Sequence, residues 1–113
     1  MADSNGLFDS VYKGAVNATP AEVSKVALDI GAYQILNLAA AVTYVLVYYK
    51  LAASVTFGTT VPDFVIALPV SGGATLHFGG KGWRTRGPLT LCASTDAAGA
   101  GNPSAYVSLW KAR

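Results

Sequence analysis

An all-β fold is the class this sequence predicts: a single β-sandwich or jelly-roll domain of seven to eight strands with an extended N-terminal arm. Three observations predict it. Between Phe57 and Asp96, short strand-like segments alternate with Gly, Pro and Ser turn signals. The run TYVLVYYK (43–50) is rich in β-branched and aromatic residues and apolar on both alternating faces. A length of 113 residues suits one domain with one core, and no internal repeat or heptad divides it.

Residues 1–22 differ from the rest. They are small and polar, with scattered apolar anchors at Leu7, Phe8, Val11 and Tyr12 and no sustained period, which predicts an arm that orders against a neighbour. Asn17-Ala18-Thr19 has glycosylation-site spacing, but MADSNGLFDS lacks the basic and apolar regions of a signal peptide, so the match reads as chance. The β-sandwich domain is expected over 23–113. VSKVALDI (23–30) reads as one half-buried strand, since Val26, Leu28 and Ile30 share a side. YQILNL follows, with Tyr33, Ile35 and Asn37 opposing Gln34, Leu36 and Leu38. Two apolar faces on TYVLVYYK predict burial on two sides, by the sandwich interior and by a second subunit. Residues 51–62 read as a long connection, punctuated by GTT and Pro62. DFVIALP, the Ser71-Gly72-Gly73 turn and ATLHF predict a hairpin. WRTR, LTLCAST and AYVSLW are the remaining strands, the last two separated by the small-residue loop 96–104.

Apolar residues make up 52% of the chain and charged residues 12%, roughly half the usual charged share. So little charge predicts a subunit that hides surface in an assembly, a homo-oligomer such as a dimer or trimer. The net charge of +2 is too weak and scattered for nucleic-acid binding. Cys92 is the single cysteine, in the apolar run LTLCAS, and is expected to be a buried hydrophobe. Residues 30–49 carry no charge and are long enough to span a bilayer as a helix. Gln34, Asn37, Thr43 and the tyrosines argue for strands instead, and no membrane is expected.

Residue types capable of catalysis are sparse. His77 is the only histidine, and the acidic residues form no local pair. Ser71-Gly72-Gly73 lacks the glycine that precedes the serine of a nucleophile elbow, and GGKGW (79–83) lacks Walker spacing and a following helix. No catalytic residue, cofactor or metal site is expected, and the chain reads as a non-enzyme. KGWRTR (81–86) is the one basic concentration. Strand alternation sends Arg84 and Arg86 outward and Trp83 into the core, with Trp110 also expected as core. Leu7, Phe8, Tyr12, Lys81, Arg84 and Arg86 are the candidate partner-binding residues.

Asn37, TYVLVYYK (43–50), GTTVP (58–62), IALPVSGG (66–73), LHFGGKGW (76–83), GPLTLCAST (87–95) and DAAGAG (96–101) follow one another in an order that resembles the small β-sandwich structural proteins of tailed bacteriophages and prophages. The resemblance covers roughly residues 26–110. It departs from the family pattern at KGWRTR, which is more basic. It implies a virion component with a jelly-roll-like fold, made in the host cytoplasm and carried on the outer surface of the capsid. The implied role is a decoration, or cement, protein bound to the major capsid protein or another virion protein. The alternatives are the receptor- or glycan-binding head of a tail or fibre appendage, and a small single-span membrane protein.

Overall fold

A computed structural model of the chain describes residues 8–70, 72–77 and 83–112. Nine strands are present among them: β1 (Phe8–Val16), β2 (Ala21–Ser24), β3 (Asp29–Asn37), β4 (Thr43–Tyr48), β5 (Phe64–Leu68), β6 (Gly73–His77), β7 (Trp83–Arg84), β8 (Leu89–Ser94) and β9 (Ala105–Ala112). Among the described residues, the 3-10 turn Ala52–Ser54 is the only helical piece. All pairings are antiparallel. The first sheet has the order β1-β9-β3-β6, with β7 also on β3, and the second the order β2-β8-β4-β5.

β6 and β7 occupy the same edge of β3. His77 opposes Ala32, and Trp83 opposes Ile30. With these two counted as one interrupted strand, the orders become 1-8-3-6 and 2-7-4-5. That is the connectivity of a jelly roll, two Greek keys folded into facing sheets.

The core forms where the inner faces meet. Ile35 from β3, Val45 and Val47 from β4, Leu68 from β5, Leu89 and Leu91 from β8, and Val107 and Leu109 from β9 are buried between the sheets. Each strand contributes alternate residues, as a pleated strand must when one face is interior.

The second sheet is also covered from outside. Leu46, Tyr48 and Cys92 lie on its outer face with Val55, flanked by Tyr44, Phe57 and Val65. Val55 and Phe57 belong to the β4–β5 connection, which folds back over the sheet. The second face of TYVLVYYK was expected to meet another subunit. It is buried by the chain's own residues 51–62, and Tyr48 is 0% exposed.

Other expectations change as well. The stretch 1–22, expected as an arm, supplies β1 along β9 and the start of β2 along β8, while residues 1–7 lie outside the described residues. The register break between Ser10 and Tyr12 interrupts the alternation that would have marked β1. The strand expected over 23–30 is split by a turn at 25–28, closed by Ser24, whose Oγ donates to the Val26 carbonyl and accepts the Val26 N–H. The hairpin expected of DFVIALP and ATLHF does not form. β5 belongs to the second sheet and β6 to the first, so the chain crosses between sheets after Leu68. Trp110 is half-buried rather than core. It shares a β9 face with exposed Tyr106, opposite the face that carries Val107 and Leu109. Residues 30–49 supply β3 and β4, and no helix among the described residues is long and apolar enough to cross a membrane.

The interior therefore carries the stability. Leu91, 2% exposed, should cost about 2–5 kcal/mol when replaced by alanine. Val26→Ala, at a turn residue 66% exposed, should cost less than about 0.5 kcal/mol. Urea unfolding of the two variants measures the contrast.

Candidate functional site

Antiparallel register sorts the connections to two ends of the sandwich. Residues 17–20, 38–42, 69–70, 72 and 95–104 lie at one end, where Asn37 opposes Ala105 and Thr43 opposes Leu68. Residues 25–28 and 85–88 lie at the other, where the β4–β5 connection 49–63 also leaves β4 and enters β5. The ends differ in charge. Of the first group only Asp96 is charged, and its carboxylate is turned onto its own loop, accepting from the backbone N–H groups of Ala98 and Gly99. The second group carries Lys25, Lys50, Asp63 and Arg86, with Asp29 and Arg84 on the adjoining strand ends.

Asn37 builds the uncharged end. Its side chain, nearly buried at the end of β3, donates to the carbonyls of Ala41 at 2.8 Å and Pro69 at 2.9 Å. Its Oδ1 accepts from the Ala39 N–H and the Thr43 hydroxyl, both at 2.9 Å. Its backbone N–H donates to the Gly72 carbonyl at 2.8 Å. One amide thereby joins the β3–β4 connection to the β5–β6 crossing, with all of its hydrogen-bonding atoms used. What those loops present outward is apolar: Leu38 is 57% exposed, Val70 52% and Val42 42%. Leu36 and Tyr106, direct partners on β3 and β9, extend this surface onto the first sheet.

The charged end is organised differently. Arg84 grips Asp29 across the β3–β7 pair with two parallel bonds, Nε to Oδ1 at 2.9 Å and Nη2 to Oδ2 at 3.0 Å. Arg86 is exposed. Between them Thr85 is buried, its Oγ1 accepting the Leu28 N–H and donating to the Gly87 carbonyl. A cavity of about 110 Å³ is lined by Ala27, Leu28, Asp29 and Arg84, below the ~300 Å³ at which small-molecule pockets begin.

Trp83 is half-buried against the core. Its Nε1 donates to the Tyr49 hydroxyl at 2.9 Å, and its ring lies 5.6 Å from Phe64 and 6.4 Å from Tyr33. These aromatics join β7 of the first sheet to β5 of the second and close the open side of the sandwich.

Two half-exposed or exposed carboxylates are held ionised. Glu22 lies below the ordinary carboxylate value because the Lys25 ammonium donates to it, as does the Ala52 N–H. Asp96 is lowered by the Gly99 and Ala98 N–H groups. Burial has the opposite effect on the acids under the β4–β5 connection, raising Tyr48 to about 12 and Cys92 to about 11. Both remain protonated at neutral pH. Among the described residues, no three His, Cys, Asp or Glu side chains are grouped to hold a metal ion.

The candidate residues read from sequence are thus dispersed. Arg84 and Arg86 are exposed at the charged end, and Arg84 is engaged by Asp29. Tyr12 packs against the core from β1. Phe8 begins β1 opposite Ala112. Leu7 and Lys81 lie outside the described residues. Sequence reasoning missed the uncharged end, although it was written there: no charged residue occurs in 30–49 or 64–77, and none in 97–110.

Comparison with protein-family models, with curated proteins and with solved structures finds no match. The fold and the two ends define the class, a jelly-roll β-sandwich that is polarised end to end.

Two predictions follow from these contacts. Asn37→Ala removes the side-chain partner of the Pro69 carbonyl and the Ala39 N–H and leaves the Thr43 hydroxyl only the Ala41 carbonyl, at 3.3 Å, so it should cost about 2–4 kcal/mol by urea unfolding. For Glu22 and Asp96 the folded pKa is depressed, so their contribution is present above the unfolded values of 4.5 and 3.8 and disappears as pH falls through the folded values. The urea midpoint should therefore drop on acidification below those values, and less steeply in Glu22→Gln.

Proposed function

We propose that this chain is a structural subunit of a tailed-phage virion, a head-decoration protein that works by adhesion. One observation carries the reading: a jelly roll whose one end exposes Leu38, Val42 and Val70 and has Asp96 as its single, loop-engaged charge, while the other gathers Lys25, Asp29, Lys50, Asp63, Arg84 and Arg86. Jelly rolls serve in viral capsids and in lectins, so the fold narrows the role without fixing it. The order of motifs from Asn37 to Gly101 resembles virion proteins of this kind.

The uncharged end suits contact with a second copy. A symmetric interface brings like surfaces together, and like charges there would repel. Leu38, Val42, Val70, Leu36 and Tyr106 meet their own counterparts without desolvating a charge. The charged end, with exposed Arg86 and the Asp29–Arg84 pair, is then free to face acidic groups on the shell. Repetition of weak contacts over one particle multiplies them through avidity. The appendage reading relies on an open Trp83, whereas this indole is half-buried and its N–H already donates to Tyr49.

Cosedimentation with shells of the cognate major capsid protein tests the role. The chain should pellet with shells and Arg86→Glu should pellet less, both with unchanged β-type circular dichroism. A folded chain that ignores shells but binds a cell-surface glycan would favour the appendage reading.

A further inference from the structure

The connection 51–62 covers the outer face of the second sheet without joining its hydrogen-bond ladder. Most of its backbone bonds are internal: Ser54 N–H to the Leu51 carbonyl, Val55 to Ala52, and Thr59 and Thr60 to Thr56. The Thr56 N–H donates to the Thr60 hydroxyl. Among the described residues its one polar tie to a strand is the Ala52 N–H on Glu22 Oε1, at its very start. Beyond that point it is held by Val55 and Phe57 against Leu46, Tyr48 and Cys92.

Two details mark this contact as replaceable. The Tyr48 hydroxyl beneath it is fully buried with no hydrogen-bond partner, an arrangement that costs the folded state its desolvation. At the far side, Gly58 (φ 85°) and Gly99 (φ 118°) meet backbone to backbone; a Cβ on Gly99 would stand 2.6 Å from the Gly58 nitrogen. The cover therefore depends on two apolar side chains and a glycine–glycine contact. Lifting it breaks no ladder bond between strands and gives Tyr48 access to water.

We propose that residues 51–62 are a strap that opens as a unit while both sheets remain paired, uncovering Leu46, Tyr48 and Cys92. This is a local opening below the free energy of global unfolding. It stands independently of what the chain binds.

Cys92 is the only thiol, so its reaction with a disulfide reagent reads the opening directly. The full chain should react in plain buffer at a rate that scarcely changes with low urea, because little surface is exposed on opening. Gly99→Ala, which pushes on Gly58, and Phe57→Ala, which removes half the apolar clasp, should each speed the reaction about tenfold. The urea dependence should stay shallow in both. A reaction with the full urea dependence of global unfolding would overturn the proposal, as would a thiol silent until the protein unfolds. If either variant fails to fold, the urea dependence of the unaltered chain still decides.

Discussion

The central pair of the second sheet, β4 and β8, is buried on both faces, and the rest of the architecture answers to that constraint. Thr43, Val45 and Val47 look inward with Leu89, Leu91 and Ala93, while Leu46 and Tyr48 look outward with Cys92. A sandwich covers only one face of each sheet. Burying the other at about 25 cal/mol per Å² needs a further layer. The chain supplies it from its longest connection, so the long β4–β5 excursion is a packing element. The first sheet has no such demand on it: Gln34, Leu36 and Tyr106 on its outer face are exposed.

Asn37 plays the corresponding part for topology. In a jelly roll the chain crosses repeatedly between sheets, and each crossing leaves backbone groups without ladder partners. At the β5–β6 crossing these are met by the Asn37 amide and by its backbone N–H. A buried polar hub lets the loops around it stay short and free of charged side chains. The uncharged end is therefore a consequence of how the crossing is satisfied.

Legibility in the sequence followed the regularity of each strand. β4, rich in β-branched and aromatic residues, and the apolar runs of β8 and β9 are unbroken, and their places were plain. β1 was hidden because it is an edge strand: Lys13 and Ala15 face water, and a bulge after Ser10 breaks the alternation of Val11, Tyr12 and Val16. The turn at 25–28 was hidden for the opposite reason. Val26 and Leu28 continue a strand-like alternation by chance, yet Val26 is 66% exposed. The failed hairpin shows a limit of local patterns, since Pro69 to Gly72 has turn chemistry whether the chain returns to the same sheet or crosses to the other. The polarised ends needed the strand order, because the loops of the uncharged end alone come from four separate stretches of chain.

Whether copies meet at the uncharged end is read from the solution mass by light scattering on a sizing column. The unaltered chain should elute as a discrete dimer or trimer, and the double variant Leu38→Asp, Val70→Asp as a folded monomer. A monomer at every concentration, or a variant that keeps the full oligomer mass, would contradict it.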